Sequence, residues 1–495
     1  MIPLNRTVLL VLAACALVHA ESRPRYGGVL EGSLLGAPVT LDPPLAQAHA
    51  EITAVDLVFD TLYRIGAGGV PQPQLAAGMP VLVNGKLEIP LRKGVRFHDN
   101  SVLTGADVWA SLERVRTTPS RWTLAQVTSV GANGDTLEVG TTASPLELAR
   151  ALALPATAIT KGGKAQTDRP IGSGPFFVES WDKKGRLVLR AFDAYFAGRP
   201  YLDQLTLRWY DTPDGEARQF EKGDAQLSSR GVAVFSGVQP KFRADFVDGP
   251  AALLVFVGFG RAHLDVTAER SFRRALDLAL ARGALTSVTS GERVVLARTP
   301  IPVEAGGPAL DAAGKVDDIV GAKAALADAG KRVKALAPDK LAALKLEILV
   351  EETRPDDREL AERTAYALTK LGIGSVITAV PAGTLRDRVR KGDCDLWIGQ
   401  LAVPVTNASA WWGAAFAAGG DTWAEQRLAA GAIDAPAAHK AFAERLPIVP
   451  LMFRSVRIWH RTDVRGLAFD GTGRPSYAEM FLYGEPARAL KGGKP

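Results

Sequence analysis

The stretch from residue 344 to residue 398 reads LKLEILVEETRPDDRELAERTAYALTKLGIGSVITAVPAGTLRDRVRKGDCDLWI. It alternates between residues spaced as in strands and residues spaced as in helices, and Gly372 stands where a helix C-terminal cap belongs. The pattern predicts three strands separated by two helices, over residues 344–350, 360–371, 373–380, 385–390 and 395–398. This order predicts parallel strands joined by right-handed crossovers, and therefore an α/β lobe.

Similar patterns continue toward the N-terminus. Residues 272–280 have the apolar spacing of one helix face, and residues 251–260 form an apolar run that is too short for a membrane span and suits a buried strand. Residues 87–92 predict a short alternating strand. Thr104 and Asp107 then form a capping-box pattern ahead of a further helix. The rest of the chain is therefore expected to mix strands and helices as well.

The composition is that of a large folded protein. The chain has 495 residues, of which 47% are hydrophobic and 23% are charged, and 59 Lys and Arg face 53 Asp and Glu for a formal charge of +6. This length predicts about three domain-sized units. The composition excludes a disordered chain, and with its one apolar run at the N-terminus the chain is not expected to cross a membrane several times. Basic runs interleaved with aromatic residues are absent, so no nucleic-acid partner is expected.

The first twenty residues predict a secretory signal peptide. A single cation, Arg6, precedes an apolar run over 8–18 that is short for a bilayer span. Two processing routes fit. Residues 18–20 (VHA) suit a general signal peptidase, whereas residues 12–15 (LAAC) resemble a bacterial lipobox, in which Cys15 would be lipidated. Either route predicts export, to the periplasm or the outer face of a membrane, and removal of Arg6 lowers the charge to about +5.

The sequence offers no catalytic or metal-binding pattern. Its only other cysteine, Cys394, cannot form an intramolecular disulfide in the mature chain. It is expected to be a buried residue that opens a strand, rather than a nucleophile. No two histidines stand at metal-ligand spacing, and no phosphate-binding loop or nucleophile elbow is present. We therefore expect a protein that is not an enzyme and that has no cofactor and no metal.

Seven segments, in order along the chain, resemble one protein family. They are 41–43 (LDP), 91–100 (LRKGVRFHDN) with 103–108 (LTGADV), 171–176 (IGSGPF), 193–203 (DAYFAGRPYLD), 273–276 (RRAL), 371–373 (LGI) and 446–451 (LPIVPL). These segments are similar to motifs of the family 5 bacterial extracellular solute-binding proteins, the dipeptide-, oligopeptide- and nickel-type receptors of ABC importers. The residues at 172–175 are expected to form a tight structural turn rather than an anion site, because Pro175 lacks an amide donor.

The resemblance implies a two-lobed periplasmic binding protein of type II, a Venus-flytrap α/β fold with an inserted N-terminal subdomain. Carried over from the family, lobe I comprises 22–55, 168–258 and 455–490, the inserted subdomain comprises 56–167, and lobe II comprises 259–454. The implied function is capture of a peptide or other small solute between the lobes, for delivery to an ABC permease in the inner membrane. A monomer is expected.

The sequence departs from the family where the solute would lie. Peptide-binding relatives carry an Asp there that pairs with the peptide ammonium, and in this chain Pro404 occupies the matching position. A buried ammonium without a carboxylate partner is strongly disfavoured, which argues against binding through a free peptide N-terminus. The candidate cleft residues are Trp397, Gln400, Asn407, Trp411 and Trp412. Two alternatives stay open: the tryptophans belong to the core, or the chain is a degenerate paralogue with a structural or interaction role and no solute capture.

Overall fold

The computed structural model describes residues 24–34, 36–66, 69–166, 168–183, 185–210, 213–228, 244–287, 294–308, 317–403, 407–431, 433–455, 457–470 and 473–483. The predicted signal peptide, Cys15 and Pro404 lie outside the described residues. The helices are α1 (His49–Val58), α2 (Gly105–Val115), α3 (Pro145–Ala151), α4 (Pro213–Lys222), α5 (Leu264–Thr267), α6 (Arg270–Ala279), α7 (Ile319–Gly330), α8 (Pro355–Lys370), α9 (Ala382–Lys391), α10 (Ala408–Ala418), α11 (Trp423–Ala429) and α12 (Ala435–Arg445).

The strands outnumber the five that the sequence patterns predict. They are β1 (Val29–Ser33), β2 (Tyr63–Ile65), β3 (Pro71–Pro73), β4 (Val81–Val83), β5 (Lys86–Pro90), β6 (Val127–Asn133), β7 (Thr136–Thr141), β8 (Phe176–Asp182), β9 (Arg186–Ala191), β10 (Gln204–Arg208), β11 (Leu227–Ser228), β12 (Ala244–Asp248), β13 (Leu253–Phe259), β14 (Val294–Leu296), β15 (Lys345–Glu351), β16 (Gly374–Val380), β17 (Leu396–Ala402), β18 (Val449–Arg454), β19 (Arg457–Arg461), β20 (Val464–Arg465) and β21 (Phe481–Leu482).

A six-stranded sheet with the order β14-β18-β13-β17-β15-β16 forms the centre of lobe II. Strand β15 pairs in parallel with both β16 and β17, which confirms the parallel β-α-β-α-β unit predicted from residues 344–398. Gly372 follows α8 with a positive φ of 81°, as its capping position requires. One face of the sheet packs against α6, α7 and α8, and the other packs against α10 and α12.

Strand β13 spans one predicted boundary. The carried-over division ended the second segment of lobe I at residue 258, which cuts this strand near its end. In the structure β13 pairs with β17 over its whole length and with β18 over residues 253–257, within the six-stranded sheet. Its first six side chains are buried, as the apolar run predicts, because the sheet has helices on both faces.

The first lobe is assembled from distant parts of the chain. A four-stranded sheet has the order β1-β10-β9-β8, and a three-stranded sheet has the order β11-β19-β12. Strand β19, near the C-terminus, therefore lies between two strands that precede β13 in sequence. One hydrophobic cluster joins residues from 30–59, 176–227 and 458–480, with Ala158.

The segment 62–159 has a hydrophobic cluster of its own. It surrounds a four-stranded sheet with the order β4-β5-β7-β6, against which α2 packs. The predicted capping box is present, since the Asp107 carboxylate accepts hydrogen bonds from the Thr104 N–H and hydroxyl at 2.9 and 2.7 Å. Within the described residues, no helix combines the length and apolar character that crossing a membrane requires.

Candidate solute-binding cleft

The loop before α1 brings lobe I against lobe II. A Cβ added to Gly36 would lie 3.3 Å from the Glu351 Oε1 atom and 3.6 Å from the Arg354 Cγ atom, so this loop covers the end of β15. A Cβ at Gly383, at the start of α9, would lie 3.8 Å from a methyl group of Val39. The two lobes therefore meet where β15 ends and where α8 and α9 begin.

An ion pair between α1 and α9 crosses this junction. The buried Glu51 carboxylate accepts backbone N–H hydrogen bonds from Val39, Gln47 and Ala48, at 3.0, 2.9 and 3.1 Å. The Arg386 guanidinium of lobe II donates to both oxygens of the same carboxylate. Since three amides fix the carboxylate within lobe I, Arg386 meets a preorganised anion.

Further charged groups follow β15 directly. The Arg354 Nε atom lies 2.6 Å from Glu351 Oε2 and 3.2 Å from Asp357 Oδ2, and all three side chains are buried. Asp356 pairs with Arg454 of β18 at 2.8 Å. Ligands of open α/β sheets bind outside the carboxyl ends of the strands, which is where these groups lie.

We call this set the interlobe charge cluster. Its members are Glu51, Glu351, Arg354, Asp356, Asp357, Arg386 and Arg454. Burial, with a smaller contribution from Glu351, raises the pKa of Asp357 to about 7 against the opposing effect of Arg354. With every group ionised the set carries four negative and three positive charges, so a proton on Asp357 makes it neutral.

The predicted cleft residues divide between the two faces of the lobe II sheet. Gln400 lies beside the cluster, since its Nε2 atom is 3.4 Å from Asp357 Oδ1. Trp397, three residues earlier on β17, points to the opposite face, where its ring meets Phe256 edge-on at a centroid distance of 5.0 Å. The structure therefore does not bring Gln400 and Trp397 together on one surface.

Trp411 and Trp412 lie in the core of lobe II. Their exposed fractions are 0% and 2%. Trp411 packs against Phe453 of β18, and Trp412 packs against His439 and Phe442 of α12. This burial favours the alternative interpretation, a core role, over the expectation that they form aromatic walls of a cleft.

The Asn407 side chain stabilises the start of a helix. Its side-chain oxygen accepts the Ala410 N–H at 3.0 Å and so caps the N-terminus of α10. Cys394 is fully buried just before β17, as expected, and burial raises the pKa of its thiol to about 12. The thiol is therefore protonated at neutral pH, which is the opposite of what a nucleophile needs.

The sequence interpretation missed most of the charge cluster. Residues 351–357 (EETRPDD) directly follow the strand predicted over 344–350, and parallel strands place their carboxyl ends at the ligand-binding edge. That position was the available signal for Glu351, Arg354 and Asp357. Glu51 and Arg386 carried no comparable signal, because they are 335 residues apart and meet only in the folded protein.

Three of the family-like segments, 91–100, 171–176 and 193–203, meet elsewhere, where the inserted subdomain joins lobe I. His98 accepts the Gly172 N–H at Nδ1, at 3.2 Å, and its Nε2 atom lies 3.0 Å from the Gly174 carbonyl oxygen. These partners define a neutral ring that donates from Nε2. Burial lowers the pKa of His98 to about 4, in agreement with the neutral form.

A buried carboxyl group lies on the other side of the same turn. Asp60 accepts hydrogen bonds from Ser173, Gln74 and Tyr195 at 2.8, 2.6 and 3.0 Å. Burial raises its pKa to about 6 against the effect of these three donors. We call Asp60, Gln74, His98, Gly172, Ser173, Gly174 and Tyr195 the motif junction.

The glycines of this junction are required by close backbone contacts. A Cβ at Gly172 would lie 1.9 Å from the Val58 carbonyl oxygen, and one at Gly174 would lie 2.6 Å from the Val58 carbonyl carbon. The motif at 171–176 is therefore a structural turn packed on the end of α1, as its proline indicates. In the described part of the chain, no group of three or more His, Cys, Asp or Glu side chains could hold a metal ion.

Two lobes assembled from interleaved segments, with charged groups where they meet, define a two-lobed α/β binding protein of type II. The chain belongs to the bacterial extracellular solute-binding proteins of family 5, whose family model matches residues 70–423. Membership of a family of binding proteins supports the prediction that the chain is not an enzyme.

Curated relatives include the oligopeptide-binding protein AppA of Bacillus subtilis (strain 168), which is 24% identical over 303 residues. That match covers 57% of this chain and 56% of AppA, so the chain spans about half the length of the curated relatives it matches. Among solved structures, DppA from Helicobacter pylori with the peptide STSA has a TM-score of 0.79 at 18% identity and covers 94% of this chain and 100% of its own. NikA from Staphylococcus aureus with Ni(L-His)2 has a TM-score of 0.73 at 17% identity and covers 92% and 99%.

Proposed function

We propose that the protein is the solute-binding component of an ABC importer, which captures a peptide-like or other small solute between its lobes and delivers it to a permease in the inner membrane. Family membership supports this function, as do the peptide and nickel complexes of the structural neighbours. The predicted export signal supports a periplasmic or membrane-anchored location. The proposal further takes the protein to act as a monomer.

The interlobe charge cluster is the observation that carries the choice of solute. Buried guanidinium and carboxylate groups stand together at the end of β15, whereas Trp411 and Trp412 are in the core. A buried charge is tolerated only with a partner of opposite sign, so the solute that replaces part of these pairs has to carry charge itself. We propose a small zwitterionic solute, such as a short peptide or an amino-acid derivative.

This choice revises the argument from Pro404. The absence of an Asp at that position predicts a solute that depends less on its ammonium group. The carboxylates of Glu351, Asp356 and Asp357 are an alternative anionic partner, and Gln400 adds an amide beside them. A free ammonium group is therefore compatible with this cleft.

The test is native mass spectrometry of the gently purified protein, followed by thermal melting against libraries of short peptides, amino-acid derivatives, sugars and metal complexes. A bound solute at about 100 times its Kd stabilises the fold by roughly 2.7 kcal/mol, which shifts the melting temperature measurably. We expect a co-purified zwitterion and shifts confined to zwitterionic solutes.

Shifts with sugars or metal complexes alone would overturn the proposed solute class while leaving a receptor. If no solute co-purifies and no solute shifts the melting temperature, solute capture is overturned and the degenerate paralogue is favoured. A matched pair of variants locates the site. Asp356→Asn should weaken the shift, whereas Asp339→Asn, on an exposed carboxylate paired with its neighbour Lys340, should not.

A further inference from the structure

The contact between α1 and α9 has features that solute capture alone does not require. Glu51 is fully buried, yet its partner Arg386 comes from the other lobe and retains only 27% of its side-chain exposure. The two charged groups and the three amide donors to Glu51 all belong to this chain. Any motion that separates the lobes leaves the Glu51 carboxylate with its three amide donors but removes its cationic partner.

The neighbouring groups favour the same closed arrangement. The charge of Glu51 also acts on Arg354, whose pKa is raised above its ordinary value by Asp357, Glu351 and Glu51 against the effect of burial. The loop at Gly36 covers this arginine from lobe I. In this arrangement the Glu51 carboxylate of lobe I therefore pairs directly with Arg386 and acts through its charge on Arg354.

Lobe II also contacts the inserted subdomain. Trp122, in the 3-10 helix Pro119–Leu124 of the inserted subdomain, lies on α10, where a Cβ at Gly413 would be 2.3 Å from its ring. Arg121 pairs with Glu425 of α11 at 2.8 Å, and the Gln126 amide donates to the Gly431 carbonyl. These contacts join lobe II to the inserted subdomain rather than to lobe I itself, and the Arg121 pair is half-exposed and contributes little.

We propose that Glu51 and Arg386 form an interlobe latch that keeps a large share of the solute-free protein closed. A ligand shifts a two-state equilibrium only by its difference in affinity for the two states. The latch therefore sets how much of the protein is open to receive solute and how slowly a captured solute leaves. This inference rests on the proposed function for its effect on solute, but the closed solute-free state is a property of the chain alone.

The test compares Arg386→Gln with Arg388→Gln in protein freed of carried-over solute. Arg388 is two residues further along α9 and is similarly exposed, but its partners Glu347 and Asp393 belong to lobe II. We expect Arg386→Gln to raise the ratio of open to closed protein about tenfold or more, as loss of a charge-assisted pair does. Small-angle X-ray scattering then shows a larger radius of gyration, and residues 36–51 and 382–386 exchange amide hydrogen faster.

Arg388→Gln should leave both measurements at the wild-type values, and Arg386→Lys should restore much of the closed population. Equal scattering and exchange for wild type and Arg386→Gln would overturn the latch, whether or not a solute is found. If Arg386→Gln opens the protein and no solute binds, the latch stands and the proposed function fails. Thermal melting of each variant identifies one that has lost the fold, and Arg386→Lys then provides the comparison.

Discussion

The motif junction and the interlobe charge cluster both bury titratable groups, but they neutralise them differently. At the junction, Asp60 receives three hydrogen bonds from uncharged donors, and His98 is held as a neutral ring between two backbone groups. In the cluster, Glu51, Glu351 and Asp357 each face a guanidinium group, and Glu51 also accepts three backbone N–H groups. Three of the family-like segments thus meet where the inserted subdomain joins lobe I, whereas the charged groups between lobe I and lobe II lie outside all seven segments.

The largest effect should come from breaking the junction at Gly172. An alanine there places a Cβ 1.9 Å from the Val58 carbonyl oxygen, so the turn or the end of α1 has to move. We expect Gly172→Ala to destabilise the protein by about 3 kcal/mol or more, or to prevent folding, as severe overpacking does. Chemical denaturation measures this. The control is Gly131→Ala, which meets nothing closer than 3.9 Å and should shift stability by no more than about 1 kcal/mol.

The interlobe charge cluster should make the stability of the protein depend on pH through Asp357. Folding raises the pKa of Asp357 from its ordinary value of 3.8 to about 7, so the folded protein holds a proton that the unfolded chain releases. Its contribution to stability is therefore full below pH 4 and is lost as pH rises toward 7. Asp357→Asn should remove this loss of stability. Relative to wild type, the free energy of unfolding of the variant should therefore rise by on the order of 2–4 kcal/mol between pH 4 and pH 7.

Thermal or chemical unfolding across that range, with the exposed Asp339→Asn as control, gives the comparison. A difference between Asp357→Asn and wild type that does not change with pH would contradict this description of the cluster.

His98 should act in the opposite direction. Its pKa falls from 6.5 to about 4 on folding, so its contribution is present above pH 6.5 and is lost as pH falls toward 4. We expect His98→Gln to be less stable than wild type at pH 7. Between pH 6.5 and pH 4, however, the free energy of unfolding of the variant should fall by about 3 kcal/mol less than that of wild type. Unfolding curves at both pH values measure this. Parallel pH profiles for the two proteins would show that His98 has the same pKa in the folded protein as in the unfolded chain.

The smallest effect should come from one hydroxyl of the junction. Tyr195→Phe removes the hydrogen bond to Asp60 but leaves those from Ser173 and Gln74. Loss of a single bond to a group that keeps two others should cost about 1 kcal/mol, measured by chemical denaturation. A loss as large as that of Gly172→Ala would mean that the junction depends on its polar groups more than on its packing.

The sequence predicted the parts of the fold that depend on local patterns. The β-α-β-α-β unit, the buried strand before Gly260 and the capping box at Thr104 were recognisable because burial and capping have fixed periods and spacings. The interleaving of the lobes came from the family resemblance, and the limit at residue 258 falls inside β13 because strand pairing is not encoded locally.

The candidate site was harder for the same reason. An apolar tryptophan in a helix has the same pattern whether it faces a solute or a core, so Trp411 and Trp412 could not be placed from sequence. Gln400 lies near the charge cluster because strand alternation brought it to the face of α8. The pair of Glu51 and Arg386 depends on two lobes meeting, which no local pattern records.

The assignment of the consecutive strands β18 and β19 to two different sheets has a consequence for how the chain folds. Strand β18 lies between β14 and β13, and strand β19, three residues later, lies between β11 and β12. Neither sheet can close until residues 449–461 have left the ribosome. Such long-range pairing makes folding slow, so both sheets stay incomplete until translation is nearly finished.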